Sequence, residues 1–425
     1  MTVVVLPNDR TPEVAHILFV KAGAADDPYG KSGLAHYVEH LMFTGTPDFP
    51  EGAYDHLVTR SGGEQNAFTT RDFTGFYVVI AKERLEDVMK IESDRLQHLT
   101  LDPARSAREH KVITAERDTR VENSAESLLA EQLDAITYLN HPYHQPVIGW
   151  AEDMAGLNVD DARAYYKAHY VPSNLVLVVA GDVTPKEVER LAGKYYGALP
   201  SREAPKRDWP QNPPIRLALH ASMTDEKAGA PRLVRQYLAR ASSPGRRKRR
   251  CRWRCSPRYS AATNRACCIN RSWSTRSSPP ISRSITTRCC SGLRCCASRP
   301  CRRPACRWRR WRPRSIRRWR RRSPQPPSAD DTQRAKTQLK AELVFASDGL
   351  EPLAQLIGTL YMLGRDEEFF YRWGEEADKV TPQAMLEAGR DVLNPAHAVT
   401  GTLKPLHPGA GVAPAKLDMG DSNVR

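Results

Sequence analysis

Cysteine is missing from most of this 425-residue chain: all ten lie between Cys251 and Cys306. With no sulfur elsewhere to cross-link, a disulfide framework is excluded for the periodic parts of the sequence. The chain also lacks any run of about 18 apolar residues, so no membrane span is predicted. Its start, MTVVVLPNDR, has neither the basic lead nor the apolar stretch of roughly 7–15 residues that make a secretory leader. It reads instead as a strand already under way, closed by a Pro-Asn-Asp turn. A missed start further upstream, carrying a leader, would place the protein in the bacterial periplasm; otherwise the reading is cytoplasmic.

Acidic residues are absent from one stretch. Between Arg246 and Arg322 there are 27 Lys and Arg and no Asp or Glu. The formal net charge of +15 belongs to this block, because the remainder holds 37 basic against 49 acidic residues. A nucleic-acid-binding protein would draw its whole field from this segment. That reading predicts binding that weakens steeply with salt and survives deletion of 1–230. A metal reading is no better served: Cys251, Cys255 and the three Cys-Cys pairs lack zinc spacing and have no histidine nearby. The block has no hydrophobic period, and Arg, Ser, Pro, Cys and Trp are what GC-rich DNA yields out of frame. With GC-rich codons chosen for Arg246–Thr275 and the first two bases dropped, it reads TKATLPLEVLAEILGGDEPGLLYQSLVVD. The same offset at Cys306–Ala329 reads PLEALEAAVDPEMAKALATAAVS. Both are amphipathic and free of stops. We read 246–327 as out of frame and disordered, and 406–425, rich in Gly, Pro and Asp, as a flexible tail.

The rest is regularly patterned. Thr2–Leu6 and His16–Lys21 read as strands. Leu34, Tyr37, Val38, Leu41 and Met42 recur at helical spacing over 32–43. A helix over 51–60 precedes a hairpin of 64–70 and 73–80, the second strand being rich in β-formers. Helices follow over 84–99 and, from the Asp102-Pro103 start signal, to about Val121. Further helices are predicted over 125–138, 159–169 and 185–197, around a strand at Leu175–Ala180. Pro210, Pro213 and Pro214 mark a boundary. The helix, proline turn and strand of 158–183 recur in 379–405, with Val159 and Val380 aligned 221 residues apart. The expected fold is α+β with two similar halves, each an antiparallel sheet packed with helices, over 1–208 and 209–405, the second half disrupted.

One constellation carries chemistry. His36 and His40 stand at i and i+4, so both imidazoles leave one face of a helix. Two neutral imidazoles at that spacing suit zinc. Glu39 lies beside them and can accept a proton from water that a metal acidifies. A third ligand is needed. Glu109 and Glu116, seven apart on the helix from Pro103, share a face; either could complete the site while the other orients a ligand. Taken alone, two histidines and a glutamate at this spacing also occur as an ordinary surface feature.

The flanks decide between these readings. GKSGLAHYVEHLMFTGT resembles the zinc helix of the insulinase/pitrilysin family, the inverzincins, whose motif is HxxEH. The resemblance continues through GGEQNAFTTRDFTGFYV (62–78), REHKVITAER (108–117), NHPYHQPVIGW (140–150) and YYKAHYVPSNLVLVVAGDV (165–183). It implies a zinc metalloendopeptidase with His36, His40 and Glu116 as metal ligands, Glu39 as general base and Glu109 in support. It also implies that Asn66, Ala67, Phe68 and Thr69 form an edge strand on which an extended peptide lies. The family closes two such halves, or two subunits, around a chamber, so a homodimer or a paired non-catalytic subunit is an expected partner. The same resemblance admits this chain as the non-catalytic member, which an incomplete motif would mark; here the motif is intact. His56, His98, His110, His141 and His144 lack partner spacing and read as structural or solvated, and Tyr143 reads as packing.

With its core replaced at 246–322, the second half is expected to leave Leu353, Leu356, Ile357, Leu360 and Met362 exposed and to stay molten. Resequencing the coding DNA across codons 240–330 is expected to reveal one or two bases missing or extra at each edge of the block. A sequence that stands as printed makes the block genuine protein.

Overall fold

Residues 1–239 and 325–406 are described by the computed structural model. The frame reading and the tail reading thus fall, apart from 325–327 and Leu406, outside the described residues. The first five strands are β1 (Thr2–Pro7), β2 (Glu13–Val20), β3 (Glu64–Thr69), β4 (Thr74–Ala81) and β5 (Leu175–Gly181). They form one sheet in the order β1-β5-β2-β4-β3. The pairs β2–β5, β2–β4 and β3–β4 are antiparallel and β1–β5 is parallel, so the sheet is mixed rather than wholly antiparallel.

Helices α1 (Leu34–Leu41), α2 (Ala53–Arg60), α3 (Leu85–His98), α4 (Pro103–Arg117), α5 (Ala125–Thr137), α6 (Ala151–Ala155), α7 (Val159–His169) and α8 (Pro185–Tyr196) complete the first half. The Asp102 carboxylate caps α4 by accepting from the N–H groups of Ala104 and Arg105, both at 3.0 Å. The helix predicted to run to Val121 stops as α-helix at Arg117; Asp118–Glu122 continues it as one wider π turn.

Alternation sorts the strands onto two faces. Val14, Leu18 and Val20 of β2, with Leu175, Leu177 and Val179 of β5, join α1, α3, α7 and α8 in one core. Ala15, Ile17 and Phe19, with Val176, Val178 and Ala180, face the other way. Both faces are therefore apolar, which is why 175–180 reads as an unbroken hydrophobic run. A charged cluster is enclosed on the first side. Arg95 pairs with Glu92, whose other oxygen lies 3.3 Å from His16 Nδ1. The rings of Phe43, Tyr54 and Phe76 surround the guanidinium at 5.4, 5.2 and 4.9 Å. Burial foremost lowers the His16 pKa, which favours the neutral ring.

The second half contains β6 (Leu219–Asp225), β7 (Arg232–Tyr237) and β8 (Ala398–Pro405), in the order β6-β8-β7. Here β6–β8 is parallel and β7–β8 antiparallel, the same senses as β1–β5 and β2–β5. The described helices are α9 (Ala329–Ala346), α10 (Leu350–Met362), α11 (Glu367–Tyr371), α12 (Trp373–Asp378) and α13 (Pro382–Val392). The internal echo is thus structural: α7, a proline turn and β5 in one half match α13, a proline turn and β8 in the other.

The expectation of bare apolar faces is overturned. Ile357 and Met362 are buried, and Leu353 and Leu360 pack beside them. Their cover is not their own half: α10 lies on the back of the first sheet, against Ile17, Phe19, Val176 and Val178. In exchange α5 covers the second sheet, placing Ala125, Leu129 and Leu133 on Val399 and Leu403. Side chains of that size contribute about 1.5–3 kcal/mol each when fully buried. Loss of local core therefore does not strip α10 of its partner. No helix among the described residues is long and apolar enough to cross a membrane.

The α10 contact depends on Gly358, where an added Cβ would come to 2.0 Å from Phe19 Cε2. Gly358→Ala is expected to lower stability by about 1–2 kcal/mol despite the better helix propensity of alanine. Gly193→Ala on α8, where a Cβ meets nothing within 4 Å, should raise it by about 0.5–1 kcal/mol. Urea unfolding of both variants checks the opposite signs.

Candidate metal centre

Helix α1 is fixed before its side chains are considered. Gly33, at φ 88°, opens it in a conformation that favours glycine, and a Cβ there would meet Ile148 O at 2.6 Å. The buried Asp27 carboxylate accepts from the N–H groups of Gly33 and Ala35, both at 2.8 Å, satisfying the first turn. Tyr37 Oη donates to Ser106 O at 2.7 Å and so ties α1 to α4. At the far end of α4, Arg117 Nη1 donates to Gly149 O at 2.6 Å and pairs with Glu131 of α5 at 3.0 Å.

Between these anchors the two helices turn His36, His40 and Glu116 toward one point. Glu116 Oε2 lies 3.6 Å from His36 Nε2 and 3.4 Å from His40 Nε2. One ligand atom from each residue falls within 4.8 Å of the others. The remaining nitrogen of His40, Nδ1, faces Glu109 Oε2 at 3.6 Å. The two glutamates are thus distinguished: Glu116 stands between both imidazoles, and Glu109 stands behind one. Ligands bound at about 2.0–2.2 Å in a tetrahedron lie about 3.3–3.6 Å apart, so the Glu116 separations fit a zinc ion. The donor set also fits, being two imidazoles and one carboxylate with a second carboxylate on the outer nitrogen.

The electrostatics follow from burial and crowding. Burial foremost, then neighbouring His40, holds His36 down to about 4, which makes it a neutral donor. His40 is also pulled down by burial, but the facing carboxylates of Glu109 and Glu116 outweigh this and hold it up at about 9. For Glu116, burial works upward; His40, His36 and Arg120 outweigh it and set it at about 2. Glu39 is only 7 % exposed, and burial raises it to about 7 against the hydrogen bond from Thr69. A carboxyl near neutrality is suited to exchanging a proton.

Strand β3 ends the sheet, so its outer edge has no strand partner among the described residues. Ala67 packs on the α1 side and Phe68 on the opposite side, with Phe19 and Phe73. Thr69 Oγ1 donates to Glu39 Oε2 at 2.5 Å. Asn66, Ala67, Phe68 and Thr69 thus lie on the strand whose last residue touches Glu39. The other histidines read as structural or solvated do so here: His110 Nε2 sits on Met154 O at 2.7 Å, and the exposed His98 pairs with Asp94. Tyr143 is buried, with its hydroxyl on Asp72.

Two contributors were missed in the sequence. Arg120, on the π turn, pairs with Glu116, and its i+4 spacing was a usable signal. Asp27 caps from a preceding loop, and nothing in its local spacing marks that.

Residues 3–150 match the family model described as insulinase (peptidase family M16), and 156–226 match its companion, the peptidase M16 inactive domain. The chain belongs to the insulinase family. Zinc protease PqqE of Helicobacter pylori is 30% identical over 200 residues, covering 47% of this chain and 45% of that protein. The mitochondrial-processing peptidase subunit beta of Saccharomyces cerevisiae is 28% identical over 200 residues, covering 47% and 43%. The match therefore spans less than half the length of either relative. The crystal structure of a protease from Helicobacter pylori superposes with a TM-score of 0.79 at 18% identity, covering 95% and 96% of the two chains, which shows the shared fold. The relatives are thus named as a zinc protease and a processing-peptidase subunit, and all the site residues above lie within the segment matched by the insulinase model.

Because His40 must give up its proton to bind a metal, zinc uptake by the metal-free chain should release about one proton near neutral pH. Affinity should fall as pH is lowered below about 9, the value at which His40 is held. Calorimetry in buffers of different ionisation enthalpy reads the proton directly; uptake without release would contradict the placement of His40.

Proposed function

We propose that the chain is a zinc-dependent metalloendopeptidase acting on short or unfolded peptides. The observation that carries this reading is the convergence of His36, His40 and Glu116, with Glu39 beside them at the end of an open edge strand. His36, His40 and Glu116 would hold the ion, and Glu109 would orient the His40 ring through Nδ1. When bound, zinc supplies a Lewis acid that polarises a peptide carbonyl and acidifies water. Glu39 takes the proton from the attacking water and delivers it to the leaving amine, a double task suited to a carboxyl held near 7. Asn66–Thr69 offer main-chain groups to an extended peptide, which gives grip with little demand on its sequence.

A second reading is a non-catalytic subunit paired with an active one, or a homodimer in which two copies enclose the substrate. It is favoured by the inactive-domain match over 156–226 and by likeness to one subunit of a processing peptidase. The complete ligand set argues for the catalytic reading. The nucleic-acid reading rests on 246–322, outside the described residues.

Glu39→Gln is expected to reduce hydrolysis of an unstructured peptide by at least about 100-fold while zinc stoichiometry stays unchanged. Retained turnover would remove Glu39 as the base. Glu116→Gln should instead weaken zinc binding, and zinc added back after chelation should restore wild-type activity. Wild-type chain that binds zinc but cleaves nothing unless a second subunit is supplied would favour the paired reading.

A further inference from the structure

Thr69 contributes more to this site than its main chain. Alternation along β3 puts Phe68 with Phe19 and Phe73 on the back of the sheet, so Thr69 turns to the α1 side. There its Oγ1 meets Glu39 Oε2 at 2.5 Å and Thr74 Oγ1 at 3.3 Å. A hydroxyl has one proton to give. Thr74, buried and directly opposite in the β3–β4 register, gives its proton to Ala22 O at 3.0 Å. The Thr69 proton is therefore the one available to Glu39, and no other hydrogen bond reaches that carboxylate among the described residues. The contact is made within a part-buried site, where a hydrogen bond to a carboxylate is stronger than between neutral groups.

We infer that Thr69 is the positioning residue for Glu39: it holds one carboxylate oxygen and leaves the other to exchange protons at the reacting bond. This rests on the reading of Glu39 as the base, and it adds a geometric link. The hydroxyl that fixes the base belongs to the strand that would seat the peptide, so base and scissile bond are placed by one piece of backbone. Thr74 completes the arrangement by anchoring β4 to the loop at Ala22.

The test uses the zinc-loaded full chain and a quenched fluorescent peptide without secondary structure. Thr69→Val keeps the shape and loses the proton; kcat should fall about 10- to 100-fold with KM and bound zinc unchanged. Thr69→Ser, which retains the donor, should recover most of the loss. A change confined to KM, or wild-type kcat in T69V, overturns the inference. A double-mutant cycle read by urea midpoint covers the case in which turnover is absent. T69V should shift the midpoint more in the parent than in the E39A background, where the hydroxyl has no acceptor. Additive shifts overturn the positioning role whatever the activity. A wild-type chain that carries zinc, shows this coupling and cleaves nothing sinks the peptidase reading while keeping the Thr69–Glu39 pairing.

Discussion

The double-sided burial of the first sheet is the constraint from which the rest follows. Strands β2 and β5 are apolar on both faces, so each face requires cover. On one side the cover includes α1, and pressing α1 onto the sheet gives its histidines a fixed direction. On the other side the cover is α10, from far along the chain. A one-residue slip of β2 would exchange Phe19 with Leu18 and bring His16 into an apolar layer. The candidate metal centre is therefore held by packing that begins on the opposite surface of the sheet.

The same burial sets the chemistry. Glu39, Glu109 and Glu116 crowd two imidazoles in a part-buried site. Isolated charges there would be costly, so each must find a partner. Without metal, a proton on His40 serves Glu109 and Glu116, and Arg120 adds charge from the side. On the proposed reading, a divalent cation would take the place of that proton. The Arg95–Glu92–His16 cluster is handled differently, being sealed by three rings with Glu92 set between the guanidinium and the imidazole. One buried charge group is therefore open to exchange and the other is closed.

Much of this was legible in the residues. Period-2 and period-3.6 patterns located the strands and the longer helices of the first half within a few residues, because each buries a defined face; the five-residue α6 is too short to show a period. The spacing of His36, Glu39 and His40 named one wall of the centre, and the seven-residue step from Glu109 to Glu116 named the other. Which glutamate stands between the imidazoles was not readable from spacing, since both share a face; it took the crossing of α4 over α1. Nor could the pattern say what covers Ile357 and Met362. Periodicity reports that a face is apolar, but not which sheet will meet it. The Thr69 hydroxyl and the Asp27 cap were hidden for the same reason, as both act across a turn of the fold.

The exchange of α5 and α10 between the halves has a consequence in time. A ribosome completes the last strand of the first sheet at Gly181 but reaches the end of α10 only at Met362. At roughly 5–20 residues per second that interval is on the order of 10–40 s. Throughout it Phe19, Ile17, Val176 and Val178 have no cover from their eventual partner. The nascent chain thus carries a sticky, half-dressed sheet for longer than most elementary folding events take, and the first half is the part that must wait.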